Sequence, residues 1–232
     1  MFNMTLKDFI KKMKIIKKKG YVKSERKGPT GIGYTLESLL QLKENNIAFP
    51  DLGEVELKAH RSGSQNLITL FTFNNKVWKI NPIDAIKRYG SYDKNGRKGL
   101  YYTMSLKPNS AGLFLEIDEA NICIRHISGK IIAMWNLTLL TKRFKQKLPA
   151  LILVYAFVDE RDGIEYFHFN RAQLLKGTTP DILINQFKEE NLLVDLRLHD
   201  KGTKGARNHG TGFRVKESKL PLLFKQITDL EI

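Results

Sequence analysis

Pro50-Asp51-Leu52-Gly53-Glu54-Val55-Glu56-Leu57-Lys58 is the stretch on which the reading of this chain turns. Val55 and Leu57 alternate with Glu54, Glu56 and Lys58, the period-2 pattern of a strand with one face in a core. The two acids and the lysine therefore share the opposite face. Asp51 stands five positions before Glu56, so a straight strand would turn it the other way. Gly53 permits a bend or bulge that brings Asp51 back toward Glu56. Two carboxylates beside an amine at the end of a bent strand suit the hydrolysis of phosphodiesters. Hard oxygen ligands hold Mg²⁺; the metal polarises a phosphate and acidifies a bound water; the lysine orients that water or stabilises developing charge. An ordinary half-exposed strand with alternating charges has the same pattern, and the D-x₄-E-x-K spacing alone does not separate the two.

The charge of the whole chain favours the chemical reading. The 232 residues carry 39 Lys and Arg against 24 Asp and Glu, a formal net charge of +15. Such a balance points to a polyanionic partner, because each phosphate neutralised by Lys or Arg releases a counterion. A cluster of acids in so basic a protein is a natural place for cations. Hydrophobic residues make up 42% and charged residues 27%, a folding composition rather than a disordered one.

Several classes are excluded. The single cysteine, Cys123, forms no intrachain disulfide, Cys₄ zinc cluster or CxxC redox pair. It sits in the apolar alternation Ile122-Cys123-Ile124, as a buried inert thiol does. There is no HxH or HExxH spacing for a zinc hydrolase; His60 carries little weight as a site residue, and His126 and His168, in strand alternations, read as core or edge histidines. Gly28, Gly31 and Gly33 are followed by no GK[ST] and form no P-loop; they read as a tight backbone approach, to DNA for example. No stretch approaches the roughly 18 apolar residues of a bilayer span. Met1 to Gly20 is basic without an apolar core and cleavage site. A reducing, cytoplasmic setting is expected, with no membrane partner. Trp78 and Trp135 read as packing residues.

Outward from the acidic stretch, Leu6, Phe9, Ile10, Met13 and Ile16 mark an amphipathic first helix with a lysine face. Thr35 is read as the cap of a second helix running to about Asn45. Strands are expected at Val55 to Lys58, Asn66 to Phe73, Leu100 to Leu106, Leu113 to Ile117 and Ile122 to Ile127. The run Pro149 to Val158 predicts a central strand buried on both faces. Glu160 to Gly163 turns it into an antiparallel partner at Ile164 to Phe169. A helix follows at Asp181 to Glu189, a strand at Leu192 to Leu198, a glycine-rich loop at His199 to Gly212 and a last helix at Leu220 to Leu230. Tyr89 to Gly99 reads as a flexible surface loop. The order implies an α/β (α+β) domain with a mixed sheet flanked by helices, without Rossmann alternation.

The segment Gly28-Pro29-Thr30-Gly31-Ile32-Gly33-Tyr34-Thr35-Leu36-Glu37, followed by Lys43-Glu44-Asn45-Asn46 and the acidic stretch, resembles the MvaI/BcnI restriction endonucleases. These are MutH-like members of the PD-(D/E)xK nucleases. The resemblance continues at Leu67 to Thr72, Arg88-Tyr89-Gly90, Val194-Asp195-Leu196-Arg197 and His209-Gly210-Thr211-Gly212-Phe213-Arg214, and is thinnest between about residues 100 and 180. It implies a single endonuclease domain, 1–232, of two lobes forming a DNA-binding clamp. The catalytic lobe spans roughly 1–75 plus the central strands near 145–170; the DNA-recognition lobe spans roughly 76–140 and 171–232. Asp51, Glu56 and Lys58 match the family's catalytic trio, Asp51 and Glu56 as ligands of Mg²⁺, and Glu37 matches a further acid near the metal. Lys145 and Lys147 are alternatives for an additional active-site lysine. The resemblance also implies a monomer cutting double-stranded DNA at short GC-rich near-palindromic sites of the CC-x-GG kind and leaving 5′-phosphates. A host DNA methyltransferase is its functional partner.

For base reading the candidates are Asp195, Arg197, His209 and Arg214. Arginine donates twice to guanine O6 and N7, and aspartate accepts from cytosine N4. Lys201, Lys204 and Arg207 suit phosphates, and Arg88 and Tyr89 match a family segment near the minor groove. From the residues alone, Asp195 and Arg197 make a surface ion pair, His209 a loop hydrogen bond, and Arg88-Tyr89 a turn. Two other functions remain open at this point: a partner-activated strand-nicking repair enzyme and a non-catalytic DNA-binding module.

Overall fold

The computed structural model describes residues 4–42, 46–49, 53–74 and 76–232. Asp51, together with Glu44 and Asn45 of the family-like segment, lies outside the described residues. Two compact units form, one from Met1–Gln65, Leu148–Gly177 and Phe224–Ile232, the other from Asn66–Lys147 and Thr178–Leu223.

The first unit begins with α1 (Leu6–Lys18), whose apolar stripe buries Phe9, Met13 and Ile16. A reciprocal capping box starts it: Asp8 N–H donates to Thr5 Oγ1 and Thr5 N–H to Asp8 Oδ2. Next come β1 (Val22–Lys23), α2 (Gly31–Leu40), β2 (Asn46–Phe49) and β3 (Gly53–Arg61). Thr35 does not cap α2. The helix starts four residues earlier, and Thr35 Oγ1 donates within it to the Gly31 carbonyl at 2.8 Å while accepting from Glu25 N–H at 3.0 Å. Gln41 in the left-handed region (φ 60°) ends it before Leu42.

The second unit opens with β4 (Leu67–Thr72), α3 (Pro82–Tyr89), β5 (Ser91–Tyr92) and β6 (Lys98–Met104). It goes on through β7 (Leu113–Ile117), β8 (Asn121–His126), β9 (Ile131–Asn136) and α4 (Leu137–Lys147). The chain then returns to the first unit with β10 (Ala150–Arg161) and β11 (Ile164–Lys176). It crosses again for α5 (Pro180–Lys188), β12 (Leu192–Asp200), β13 (Ala206–Asn208) and β14 (Gly212–Lys216), and ends in the first unit with β15 (Gln226–Leu230). Among the described residues no helix is long and apolar enough to cross a membrane.

The sheet of the first unit runs β1-β11-β10-β3-β2, with β15 also on β11. β10 is parallel to β3 and antiparallel to β11. Its residues Ala150 to Val154 are all buried, as a central strand requires; beyond them Phe157 and Val158 emerge at 50% and 37% exposure. One core joins α1 and α2 to one face of this sheet through Leu36, Leu40, Val55, Leu57, Ile152 and Val154. The second unit holds a sheet ordered β4-β14-β12-β6-β5, with β13 on β12, and a three-stranded sheet β7-β8-β9. Phe213 lies among Phe71, Trp135 and Phe187, with ring centroids 5.1, 5.6 and 6.1 Å away. The Trp135 indole N–H donates to the Phe73 carbonyl at 2.9 Å, and Cys123 is buried in β8.

Three expected elements take other forms. Leu220 to Leu230 is not a helix. A 3₁₀ segment, Glu217–Leu223, contains Pro221, which has no N–H to carry a helix onward. The chain then joins the edge of β11 as β15, pairing Ala172 to Lys176 and satisfying backbone groups that a helix would leave bare. Tyr89 to Gly99 is a hairpin: Asp93 Oδ1 accepts from the backbone N–H groups of Asn95 and Arg97, and Gly96 takes φ 69° in the turn. His199 to Gly212 is likewise not one loop, because β12 runs to Asp200 and β13 folds back on it. The close approach at Gly31 is internal, since a Cβ there would collide with the Arg26 carbonyl oxygen.

Candidate active site

Alternation along β3 does what the sequence dictates: Val55 and Leu57 are buried, while Glu56 and Lys58 are only partly covered. Parallel pairing with β10 sets Glu56 beside Leu151 and Lys58 beside Leu153, both buried. The charged pair thus rises from an apolar strand floor. Lys58 Nζ donates to Glu56 Oε1 at 2.9 Å, with side chains 24% and 21% exposed.

Glu37 comes to the same locality from α2. Burial pushes its carboxyl above the ordinary glutamate value; the Arg26 charge opposes that shift, the Glu56 carboxylate adds to it, and Lys58 opposes it again. Two carboxylates, one of them in the field of the other, beside an ammonium form an oxygen-donor set that fits a hard divalent cation. Among the described residues no group of three or more His, Cys, Asp or Glu gathers to hold a metal. Asp51, the third acid expected, is outside those residues.

The entry to α2 is fixed by Arg61 at the end of β3. Its guanidinium forks onto Glu165 through Nε and Nη2, both at 2.8 Å, and also donates to the carbonyls of Pro29 at 3.0 Å and Gly28 at 3.2 Å. One planar side chain thereby joins β11, β3 and the glycine-rich loop that launches the helix bearing Glu37. Lys145 and Lys147 lie in the last turn of α4, in the second unit.

In the second unit, β12 carries another constellation. Asp195 is 6% exposed, and its carboxylate is heavily used. Oδ1 accepts from Thr103 Oγ1 at 2.9 Å; Oδ2 accepts from Arg197 Nε at 2.6 Å and Arg214 Nη1 at 3.2 Å. Arg214 also donates Nη2 to the Leu67 carbonyl at 2.6 Å. Arg197 is 53% exposed and is joined to Asp195 through Nε, a bond that does not use its two terminal nitrogens. Arg207 on β13 is exposed, as are Lys201 and Lys204 before it. His209 is exposed and its Nε2 lies 3.2 Å from Nδ1 of His199.

Arg88 and Tyr89 close α3, away from the Asp195 network in the hydrogen-bond pattern. Arg88 is exposed; the Tyr89 ring packs 4.9 Å from that of His126, and the Tyr89 carbonyl accepts from Tyr102 Oη at 3.2 Å. The sequence reading missed Thr103, Tyr101 and His199. His199 had a usable signal: Asp195, Arg197 and His199 stand two apart on one strand and share a face.

Among curated proteins no match is found. The restriction endonuclease MvaI in complex with cognate DNA substrate superposes with a TM-score of 0.70 at 24% identity, over 96% of each chain. MvaI in the absence of DNA gives 0.60 at 22% identity, over 95% of each chain. At these identities the likeness establishes the fold, a mixed α/β architecture of the MvaI kind. The model of the MvaI/BcnI restriction endonuclease family matches residues 10–224, nearly the whole chain, and the protein therefore belongs to that family.

Proposed function

We propose that this restriction endonuclease is Mg²⁺-dependent and cuts both strands of DNA at a short GC-rich near-palindromic site of the CC-x-GG kind, leaving 5′-phosphates. The observation that carries the reading is the Glu56–Lys58 pair, joined at 2.9 Å, in the field of Glu37. Asp51 and Glu56 hold the cation, and Glu37 supports them. When bound, the cation supplies Lewis acidity at the scissile phosphate and lowers the pKa of a water. Glu56 orients Lys58, whose ammonium donates to the attacking water or to a phosphate oxygen as charge grows.

The second unit reads bases. Arg197 has two terminal nitrogens to offer to guanine O6 and N7. Asp195, held by Thr103 and Arg214, keeps that guanidinium in place and offers a carboxylate edge to cytosine N4. Arg214 and His209 complete the reading face, Arg207 meets phosphate, and Arg88 with Tyr89 lies toward the minor groove. Double-stranded DNA as partner accords with the cognate DNA of the MvaI complex. The enzyme acts as a monomer in the cytoplasm, beside a host methyltransferase that protects the same site.

Digestion of a large unmethylated DNA with Mg²⁺, followed by sequencing of the ends, tests this. Ends at one short GC-rich sequence with 5′-phosphates are expected, and none when EDTA is present. Plasmid that is nicked and never linearised would replace the proposal with a strand-nicking repair enzyme. Site-specific binding without cleavage would replace it with a DNA-binding module.

A further inference from the structure

Gly99 of β6 stands directly across from His199 of β12. A Cβ at Gly99 would collide with the Tyr101 ring and the Leu198 carbonyl oxygen. The missing side chain lets the Tyr101 ring lean diagonally across the pair, where its hydroxyl reaches His199 Nδ1 at 3.0 Å. The same nitrogen lies 3.2 Å from His209 Nε2, with the two imidazole centroids 5.0 Å apart. The backbone beneath His209 is fixed. Its N–H donates to the Arg197 carbonyl at 2.8 Å. Asn208 Oδ1 accepts from Gly210 N–H and Asn74 Oδ1 from Thr211 N–H, both at 2.8 Å.

The protons follow from this arrangement. A phenol, with a pKa near 10, is a much stronger acid than a neutral imidazole N–H, so Tyr101 donates and His199 Nδ1 accepts. Burial first, then the charges of His209, Arg97, Arg207 and Lys201, holds the His199 pKa below its ordinary value and keeps the ring neutral. An accepting Nδ1 facing a bare Nε2 would set two lone pairs against each other. His209 therefore carries its proton on Nε2 and shares the single Nδ1 lone pair of His199 with the Tyr101 hydroxyl, a tautomer assigned from the hydrogen-bond pattern. In its uncharged form this imidazole has one N–H, so His209 Nδ1 is then left as an acceptor.

We infer that His199, backed by Tyr101, is a positioning residue for specificity: it fixes His209 as the Nε2–H tautomer and turns Nδ1 into an acceptor for an exocyclic base amine, as on cytosine or adenine. The specificity part rests on the proposed contact of His209 with a base; the tautomer part does not. ¹⁵N NMR of the DNA-free protein at pH 8 reads the tautomer alone, with a protonated Nε2 and a bare Nδ1 expected at His209. His199→Phe and the milder Tyr101→Phe move it toward a mixture, and His199→Asn, with an amide oxygen near the place of Nδ1, restores it. In parallel, kcat/KM is compared between the preferred duplex and each single-base-pair competitor. His199→Phe lowers that ratio about tenfold or more at one base pair, and His199→Asn recovers it; a merely structural role lowers cleavage of every duplex alike. An unchanged tautomer in both Phe variants overturns the positioning role. A changed tautomer with unchanged ratios overturns the base contact of His209 and the specificity role with it.

Discussion

β3 and β12 are both strands with charged residues two apart, yet they treat charge in opposite ways. On β12 the Asp195 carboxylate is almost fully covered and accepts three hydrogen bonds, two from guanidinium groups. On β3, among the described residues, the Glu56 carboxylate has one ammonium partner, Lys58, and lies near a second carboxylate, Glu37, whose pKa is raised chiefly by burial and further by Glu56. A surface that reads bases, the role proposed for β12, gains from such a network, because the donors bonded into it are held in one direction before a base arrives. A site for a cation gains from incomplete neutralisation, because the remaining negative charge is what the cation binds. The difference separates rigidity for specificity from electrostatic tension for chemistry.

The sharpest way to break the comparison is at Lys58. Lys58→Ala removes the cation that is bonded to Glu56 on β3, while the β12 network stays whole. Cleavage of the cognate duplex is expected to fall by at least about 10³-fold, with site-specific binding, measured in Ca²⁺, held within about tenfold. Unchanged single-turnover cleavage by this variant would remove Lys58 from the chemistry.

Asp195→Ala should do the reverse. It takes one bond from each of Arg197 and Arg214; Arg214 keeps its bond to the Leu67 carbonyl, while its Nε is buried with no hydrogen-bond partner among the described residues. Cognate binding is expected to weaken by about 2–3 kcal/mol, because the covered Arg214 guanidinium loses its carboxylate and Arg197 loses the anchor that aims it. Binding to random DNA should change little. Competition titrations on cognate and scrambled duplexes check this, and an equal loss on both would mean that Asp195 supports the fold and not the reading of bases.

What the sequence disclosed of this comparison depended on how local each feature is. Val55 and Leu57 announced the face of β3, and with it the Glu56–Lys58 pair, because alternation is a property of consecutive residues. The apolar stripe of α1 was legible for the same reason, as was the all-apolar core of β10. β15 was hidden because Leu220, Leu223 and Ile227 recur at helical spacing; only the open edge of β11, some fifty residues earlier, makes the extended form better. Thr35 has the chemistry of a cap, and its place inside α2 is decided by a tertiary bond from Glu25. The roles of His199 and Tyr101 depend on Gly99 being opposite a histidine, which is a matter of register and not of spacing.

The smallest effect sharpens the tension at β3 most directly, through Glu37 and pH. Its carboxyl pKa is raised in the folded chain, so the folded state holds this proton more tightly than the unfolded one. The stability contributed by Glu37 is therefore fully present below the unfolded value, about 4.5, and is lost as pH rises through the higher folded value. Glu37→Gln abolishes that dependence, so without divalent metal wild type should lose stability relative to the variant between pH 4 and 7. Mg²⁺ reverses the order if the proposed site is right: a ligand that binds only the folded state stabilises it, by about 2.7 kcal/mol at a hundred times its Kd. Wild type, with both carboxylates, should then gain more from Mg²⁺ at pH 7 than Glu37→Gln does. Urea melts of both proteins at the two pH values, with and without Mg²⁺, measure each difference. Equal gains from Mg²⁺ would place the cation out of reach of Glu37, leaving its raised pKa a consequence of burial and the Glu56 charge with no part in metal binding.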